Sequence, residues 1–203
     1  EFIRDQLRSL QAVDRSISDI IDELNSAGVL DKTIIVFVAD NGYMWGEHKL
    51  YAKNKPYEES VRVPFVMRIP TIEKSSVDEL ILATNDLPVT LLEIAGIEIN
   101  SDGISLVPLI LNEQEGIRES ILLEGFDNSY KDKDNPTSPY TWAAIRTESI
   151  KYVEYTKGEK ELYDLAEDPY ELESKHNDGN YAQTMQALAE QLNTLKGLAI
   201  LKT

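Results

Sequence analysis

The sequence contains no cysteine. This absence excludes disulfide bonds, thiolate ligands for zinc and a cysteine nucleophile within the chain. Long apolar runs are also missing, and no stretch approaches the roughly 18 residues that a membrane-spanning helix needs. Basic residues are few: 20 lysines and arginines stand against 36 aspartates and glutamates, which gives a formal net charge of −16. An acidic balance of this size argues against nucleic acid as a partner.

Length and composition are those of an ordinary globular chain. The 203 residues are enough for one good-sized domain, or for a domain with a small annex. Apolar residues make up 42% of the sequence and charged residues 28%, both typical of globular domains. A helical pattern is already present at Phe2. We therefore expect the chain to start inside an element and to be part of a longer protein.

The first half of the chain has the pattern of a layered α/β fold. Apolar residues recur every three or four positions in its first segment, which predicts an amphipathic helix of about six turns. The next segment is a β-branched apolar run, as expected for a strand covered on both faces. A further strand and a helix with Asp86 as N-cap, whose Leu91, Leu92 and Ile94 should face a core, complete a predicted α/β domain over residues 1–112. The predicted bounds are Phe2–Leu24 and Asp86–Gly96 for the helices and Thr33–Ala39 and Val61–Ile69 for the strands.

The second half of the chain changes character. Short apolar and aromatic runs joined by turn residues predict a small antiparallel sheet, followed by a final amphipathic helix. Asn128–Pro139 is polar and is expected to form an exposed loop. We assign residues 113–203 to this C-terminal subdomain. Its predicted elements are strands at Ser120–Leu123, Thr141–Arg146, Ile150–Tyr155 and Glu161–Leu165 and a helix at Tyr181–Leu195.

The stretch DNGYMWGEHKLYAKNK, residues 40–55, directly follows the first predicted strand. Ligands of open α/β sheets bind beyond the carboxyl ends of parallel strands, so side chains here are well placed for a site. Asp40 and Asn41 offer hard oxygen ligands, which suit Ca²⁺ or Mg²⁺ better than zinc. Gly42 lets the backbone turn away sharply. These residue types are also common in ordinary turns, and that interpretation stays open at this point.

Basic residues cluster within this stretch, at Lys49, Lys53 and Lys55. An ammonium group can hold a phosphate or sulfate oxygen. A divalent cation beside a lysine is a common means of stabilising charge on a transferring group. His48 is a candidate proton donor. The competing interpretations are a solvated basic loop and a hydrogen-bonded loop histidine.

Six segments, taken in order, carry a family resemblance: QAVDRSISDIIDEL (11–24), TIIVFVADNGYMWGEHKLYAKNKPYEESVRVPFVMRIP (33–70), NDLPVTLLEIAGIEI (85–99), DGISLVPLI (102–110), AAIRTESIKYVEY (143–155) and ELYDLAEDPYELES (161–174). Together they resemble the type I sulfatases, which are formylglycine-dependent, calcium-binding members of the alkaline phosphatase superfamily. Six collinear matches over nearly the whole chain are far more specific than any one of them. The resemblance implies a partial alkaline-phosphatase-like α/β/α sheet, followed by a small antiparallel sheet with a C-terminal helix.

The resemblance also implies roles for individual residues. Asp40 and Asn41 match the pair that ligates the calcium ion, and Lys53 matches the lysine that contacts the sulfate. Lys49 and Lys55 are lesser candidates for that contact, and His48 matches a residue near the substrate. The implied activity is hydrolysis of a sulfuric ester in a sulfated small molecule or glycan, such as a sugar or glycosaminoglycan. The implied location is periplasmic, secreted or lysosomal.

Parts of the family pattern are absent from the sequence. It has no Cys/Ser-x-Pro-x-Arg motif, from which formylglycine is made, and it lacks the paired aspartates that complete the calcium site. We therefore expect the C-terminal portion of a sulfatase, with an incomplete calcium site and with the formylglycine supplied upstream. Alone, this portion should bind calcium weakly and turn over no substrate. It should associate with itself or with the missing N-terminal part of the same protein.

Two other functions remain open. A phosphodiesterase or phosphonate hydrolase uses the same scaffold, although such relatives often carry Asp-His-Gly where Asp-Asn-Gly stands here. A non-catalytic, sulfatase-like module that binds anionic glycans is the second alternative. Asn128–Tyr140 and Trp142 either line a substrate cleft or form a solvated loop with a packed tryptophan.

Overall fold

The computed structural model describes residues 2–70, 72, 83–111, 118–125 and 142–200. Its helices are α1 (Phe2–Ser26), α2 (Glu58–Val61), α3 (Asp86–Ile94), α4 (Val107–Ile110) and α5 (Ala182–Ile200). Its strands are β1 (Ile35–Val38), β2 (Met44–Trp45), β3 (Tyr51–Ala52), β4 (Phe65–Arg68), β5 (Ser120–Gly125), β6 (Trp142–Thr147), β7 (Ile150–Tyr155) and β8 (Lys160–Asp164). The predicted α/β class, with an antiparallel sheet and a helix at the end of the chain, is confirmed. None of the described helices is long and apolar enough to cross a membrane.

The chain divides into two compact units. The first comprises Glu1–Val38 and Pro64–Ser76, and the second comprises Ala39–Val63 and Val77–Thr203. The second unit therefore contains both the 40–55 stretch and the C-terminal sheet. The predicted domain boundary between residues 112 and 113 lies outside the described residues and stays a prediction.

In the first unit, helix α1 forms where the apolar periodicity predicts it. Most of its apolar stripe is nevertheless exposed, because little within the described residues covers it. The helix ends before Gly28, which adopts a left-handed conformation with φ of 68°. The exposed apolar side chains of the stripe are Ile3, Leu7, Leu10, Val13, Ile20 and Ile21.

Strand β1 differs from its prediction in pairing and in burial. It runs antiparallel to β4, with Ile35 opposite Arg68, whereas a parallel strand was expected. Phe37 is 39% exposed, so the expected covering of both faces is not what the described residues show. The pairing differs because β4 is the one ladder partner of β1 in the described part of the chain, so no parallel neighbour is present there. Strand β4 begins directly after Pro64, which cannot donate a ladder hydrogen bond.

In the second unit, strands β5 to β8 form the predicted antiparallel sheet, in sequence order. Short turns join β6 to β7 and β7 to β8. Helix α5 packs Leu188 and Leu192 on one face of the sheet, against Ile145, Tyr152 and Leu162. Because side chains alternate along a strand, the opposite face carries neighbouring residues of the same strands. The buried members of that second face are Trp142, Ala144 and Val153.

Asp86 is a buried hydrogen-bond acceptor rather than the predicted N-cap. Asn85 takes the N-cap position, without a side-chain hydrogen bond to helix α3. The Asp86 carboxylate accepts from the Arg118 guanidinium at 2.6 Å and from the Ile104 N–H at 2.8 Å. The helix buries its Asp86 side, and Leu92 is half-buried, but the prediction that the other two apolar residues face a core is wrong. These two residues, both exposed, are Leu91 and Ile94.

We expect Leu192→Ala to lower the free energy of unfolding by about 2–5 kcal/mol, because it leaves a cavity between α5 and the sheet. Leu192 is 0% exposed. Leu172, at 76% exposed, provides the control: Leu172→Ala should change stability by less than about 0.5 kcal/mol. Urea denaturation of the two variants measures the difference. Similar losses in both would contradict the core described here.

Candidate functional site

A small β-hairpin lies among the residues predicted to form a site: Asp40 and Asn41 precede it, His48 lies in its turn, and Lys53 follows it. Strands β2 and β3 pair antiparallel, with Met44 opposite Ala52. Between them the backbone takes left-handed φ values at His48 (52°) and Lys49 (58°), which are uncommon for residues with a side chain. This compact turn returns the chain, after β3, to the Asp40–Gly42 segment.

Lys53 and Asn41 meet just after the hairpin. The Lys53 ammonium donates a hydrogen bond to Asn41 Oδ1 at 3.0 Å. The Asn41 amide is oriented by a second bond, from Nδ2 to the Gly42 carbonyl at 2.8 Å. Asp40 Oδ1 accepts the Asn41 backbone N–H at 2.9 Å. These bonds bring a carboxylate, an amide oxygen and an ammonium group close together. Because Asp40 and Lys53 are both exposed, a ligand can reach the group from solvent.

Gly42 holds this group of side chains against helix α2. Its N–H donates to the Ser60 carbonyl at 2.9 Å. A Cβ atom at this position would lie 2.0 Å from the Glu59 carbonyl oxygen, far inside the contact limit. The close approach of two backbones explains why a residue without a side chain follows Asp40 and Asn41.

Lys53 lies between two residues in strained backbone conformations. Ala52 has φ of 74° and Asn54 has φ of 70°, both left-handed. Such conformations cost about 1–3 kcal/mol each and persist only where the surrounding structure holds them. Here the Trp142 Nε1–H donates to the Asn54 carbonyl at 3.0 Å. The Lys151 ammonium donates to the carbonyl of residue 56, Pro56, at 2.8 Å.

A buried cluster of charges lies beside this segment. Lys151 is 0% exposed, and its ammonium contacts Glu58 Oε1 at 2.8 Å and Glu171 Oε1 at 2.7 Å. Arg146 contacts Glu58 Oε2 at 3.3 Å, so two basic and two acidic side chains balance. Glu171 Oε2 accepts the Glu58 backbone N–H at 2.7 Å. Removing one partner from such a buried cluster typically costs about 3–5 kcal/mol, because it leaves a buried charge uncompensated.

The pKa values of the two carboxyl groups in this cluster shift in opposite directions. Burial tends to raise the pKa of Glu58, but Lys151 and Arg146 outweigh it and hold that pKa below its usual value. Burial raises the pKa of Glu171, because the attraction of Lys151 only partly offsets it. Glu58 is therefore the carboxylate that holds its charge most firmly beside Lys151.

His48 makes a different set of contacts. Its ring stacks on that of Tyr57, with centroids 3.9 Å apart and planes inclined by 9°. Its Nε2 lies 3.8 Å from Glu59 Oε2, and neither atom has a hydrogen-bond partner in the described part of the chain. The structure does not bring His48 into hydrogen-bond contact with Asn41 or Lys53. Its role as a proton donor stays a prediction.

Tyrosine hydroxyls surround Glu161 next to the ring on which His48 stacks. Tyr57 donates to Glu161 Oε1 at 3.4 Å, and Tyr155 donates to Glu161 Oε2 at 3.2 Å. Burial, together with the charge of Glu161, raises the pKa of Tyr57, Tyr155 and Tyr163. These hydroxyls therefore stay protonated at neutral pH, and their donation fixes the ring that supports His48.

Asp40 and Asn41 have the donor chemistry that calcium requires, since a carboxylate and an amide oxygen are both hard ligands. Calcium takes about six to eight oxygen ligands. Within the described ranges, no cluster of three or more histidine or acidic side chains could hold a metal by itself. The two residues therefore fit as one part of a calcium site, which needs further ligands.

Sequence reasoning named Asn41 and Lys53 as site residues in separate roles, which stay predictions; their direct contact is seen only in the structure. It missed the residues that hold the segment around them. Lys151 lies in an otherwise apolar and aromatic stretch of β7, and a lysine there requires acidic partners once it is buried. That signal exists in the sequence, but the identity of the partners, Glu58 and Glu171, does not follow from it. Trp142 is packed, as one of the two interpretations predicted. The predicted loop Asn128–Tyr140 lies outside the described residues.

The chain matches the family described as N-sulphoglucosamine sulphohydrolase, C-terminal, over residues 46–197, about three quarters of the sequence. The chain belongs to this family, and the predicted membership of the sulfatases is confirmed. An N-acetylglucosamine-6-O-sulfatase of Bacteroides thetaiotaomicron is 32% identical over 197 residues. The match covers 95% of this chain and 35% of the relative.

Solved structures share the fold. A protein in complex with its substrate, D-glucosamine-2-N,6-O-disulfate, matches with a TM-score of 0.78 and 28% identity, over 93% of this chain and 39% of its own. The phosphonate monoester hydrolase of Agrobacterium radiobacter also matches with a TM-score of 0.78 and 28% identity, over 92% of this chain and 39% of its own. The chain thus spans between 35% and 39% of the length of these relatives.

We expect Gly42→Ala to destabilise the protein by about 1–3 kcal/mol, because a Cβ atom has no space beside the Glu59 carbonyl. Gly179→Ala is the matched control, since a Cβ there meets no atom within 4 Å. Its effect should stay within about 0.5 kcal/mol. Thermal unfolding followed by circular dichroism compares the two variants. Equal stability would show that the backbones are not in close contact at Gly42.

Proposed function

We propose that this chain supplies the sulfate-binding side of a sulfatase active site. The enzyme would hydrolyse sulfate esters of a sugar or glycosaminoglycan. The observation that carries the proposal is the 3.0 Å hydrogen bond from the Lys53 ammonium to Asn41 Oδ1, beside the exposed carboxylate of Asp40. Membership of the sulfatase family supports the reaction class.

Two of the relatives support a sulfated amino sugar as the substrate. One is named an N-acetylglucosamine-6-O-sulfatase, and another was solved with D-glucosamine-2-N,6-O-disulfate as its substrate. Both substrates carry a sulfate on a glucosamine ring. N-acetylglucosamine 6-sulfate is therefore the compound to test first.

The proposed role of Lys53 follows from the charge that develops during sulfate ester hydrolysis. Negative charge grows on the bridging oxygen as the sulfur–oxygen bond breaks, and it persists on the sulfuryl oxygens. Lys53 would donate to one of those oxygens. Because its ammonium is already held at Asn41, little reorganisation is needed when charge develops.

Asp40 and Asn41 would hold a calcium ion, which when bound supplies positive charge against the sulfuryl oxygens. An amide oxygen has two lone pairs, so Asn41 Oδ1 can accept from Lys53 and still ligate a cation. An ammonium group and a divalent cation that share one oxygen repel each other. A sulfate bound by Lys53 would offset that repulsion, which makes the arrangement suited to an anionic substrate.

The nucleophile in this proposal is a formylglycine outside this chain, because the sequence carries no motif from which one is made. His48 is the candidate proton donor to the departing alcohol. The expectations that the chain alone binds calcium weakly, turns over no substrate and associates with itself or with an N-terminal part belong to the same proposal. So does a periplasmic, secreted or lysosomal location.

Hydrolysis of a phosphonate monoester is the second candidate function. The observation in its favour is the fold match to a phosphonate monoester hydrolase, which is as close in TM-score as the match to the sugar-bound relative. Asn41, in an Asp-Asn-Gly sequence, favours the sulfatase. A non-catalytic, glycan-binding module would retain sulfated sugars without turning them over.

Lys53→Ala is expected to lower kcat for N-acetylglucosamine 6-sulfate by about 100- to 1,000-fold, the effect of removing one preorganised donor to developing charge. The control is Lys49→Ala. Lys49 is an exposed lysine in the turn between β2 and β3, and its removal should change kcat little. The assay measures sulfate release by the protein as its host produces it. Faster turnover of a phosphonate monoester would favour the second candidate. Sugar binding without turnover would favour the non-catalytic module.

A further inference from the structure

We propose that Trp142 and the Lys151 cluster (Lys151, Glu58, Glu171 and Arg146) are positioning residues for Lys53. They hold the Lys53 segment, residues 53–58, in the backbone conformation that directs the ammonium group to Asn41. The inference deepens the proposed function and rests on it, since the positioning affects catalysis only if Lys53 binds the reacting anion.

Lys53 needs such support because its own side chain cannot supply it. Lysine carries a point charge on a flexible four-carbon stem, so its direction depends on where the backbone starts the stem. The residues on either side, Ala52 and Asn54, are both left-handed and neither is glycine. Alanine in particular gains nothing local from this conformation, since only Asn and Asp side chains form hydrogen bonds that favour it. The conformation must therefore be imposed by contacts elsewhere.

Before Lys53, Ala52 is held by its pairing with Met44 in the ladder between β2 and β3. After Lys53, the contacts that hold the backbone fall on alternate residues of the Lys53 segment. The Asn54 carbonyl accepts from Trp142 Nε1, and the Pro56 carbonyl accepts from Lys151 Nζ. The Glu58 backbone N–H donates to Glu171 Oε2. Trp142 and Lys151 belong to strands β6 and β7, so the C-terminal sheet fixes the segment at regular intervals after Lys53.

Lys151 is suited to this task in a way that an apolar residue is not. Its ammonium donates a hydrogen bond to the Pro56 carbonyl at 2.8 Å and forms ion pairs with Glu58 at 2.8 Å and Glu171 at 2.7 Å. Buried ion pairs are weak contributors to stability when compared with well-packed apolar side chains. A role in stability alone therefore explains this lysine poorly. A role in fixing one backbone conformation explains all three contacts.

The indole of Trp142 is held in place by close packing against strand β5. It lies opposite Gly125 in the ladder between β5 and β6. A Cβ atom on Gly125 would lie 1.9 Å from Trp142 Nε1, so the indole occupies the space that a side chain there would take. The indole is 4% exposed, and its N–H is directed at the Asn54 carbonyl. Gly125 of strand β5 thus leaves space for the indole, and Trp142 of strand β6 supplies the N–H donor.

The test compares Trp142→Phe, which removes the N–H donor and keeps an aromatic ring, with Tyr152→Phe. Tyr152 precedes Val153 on β7, and its hydroxyl donates to Glu154 at 2.7 Å without contact to the Lys53 segment. Both variants lose one hydrogen bond from the same sheet. They are made in the protein as its host produces it, alone and in a Lys53→Ala background.

Two quantities are measured: amide hydrogen–deuterium exchange over residues 51–58, and kcat/KM for N-acetylglucosamine 6-sulfate. Trp142→Phe should speed exchange and lower kcat/KM, each by about five- to tenfold, the equilibrium effect of losing one hydrogen bond. Tyr152→Phe should change neither. In the Lys53→Ala background, Trp142→Phe should lower kcat/KM no further, because Trp142 acts through Lys53.

Unchanged exchange in Trp142→Phe would overturn the inference. A loss of kcat/KM that is just as large in the Lys53→Ala background would also overturn it, because Trp142 would then act on general stability. Failure of the unmodified protein to hydrolyse any sulfate ester would overturn the proposed function instead. The exchange measurement would still decide whether Trp142 holds the segment.

Discussion

One buried ammonium group links the C-terminal sheet to the segment that carries the candidate sulfate contact. Lys151 of strand β7 donates a hydrogen bond to the Pro56 carbonyl. It also forms ion pairs with Glu58, at the start of α2, and with Glu171, which lies beyond β8. A buried charge that loses its partners is strongly unfavourable, so these stretches of chain cannot separate independently. The sheet, the stretch beyond β8 that carries Glu171 and the Lys53 segment are therefore held together through Lys151.

The candidate site and its support differ in exposure, and the difference suits their roles. Asp40 and Lys53 are open to solvent, where a charged ligand can reach them, while Trp142 and Lys151 are buried. The left-handed conformation at Asn54, directly after Lys53, is held by a hydrogen bond from the buried Trp142. In the proposed function, the oxygens of Asp40 and Asn41 and the ammonium of Lys53 make up only part of the reaction centre. The remaining ligands and the attacking group are proposed to lie outside this chain.

Sequence patterns predicted the positions of the secondary-structure elements, which depend mainly on neighbouring residues. Short apolar and aromatic runs joined by turn residues located strands β5 to β8 within a few residues, and the helical period located α1 and α5. The Asp40–Lys53 stretch was found through its family resemblance, because each residue type alone is common in turns. The contacts of Asp86 with Arg118 and of Lys151 with Glu58 were not predictable in the same way. Each joins residues far apart in sequence, and their pairing depends on tertiary packing.

The most direct test of the central claim, that Asp40, Asn41 and Lys53 form one site for a cation and a sulfate, is a crystal structure. The protein as its host produces it is crystallised with Ca²⁺ and inorganic sulfate. We expect a calcium ion at about 2.3–2.6 Å from oxygens of Asp40 and Asn41. A sulfate oxygen should lie about 2.7–2.9 Å from Lys53 Nζ. Calcium and sulfate bound elsewhere, with the Lys53 ammonium still on Asn41 alone, would contradict the claim.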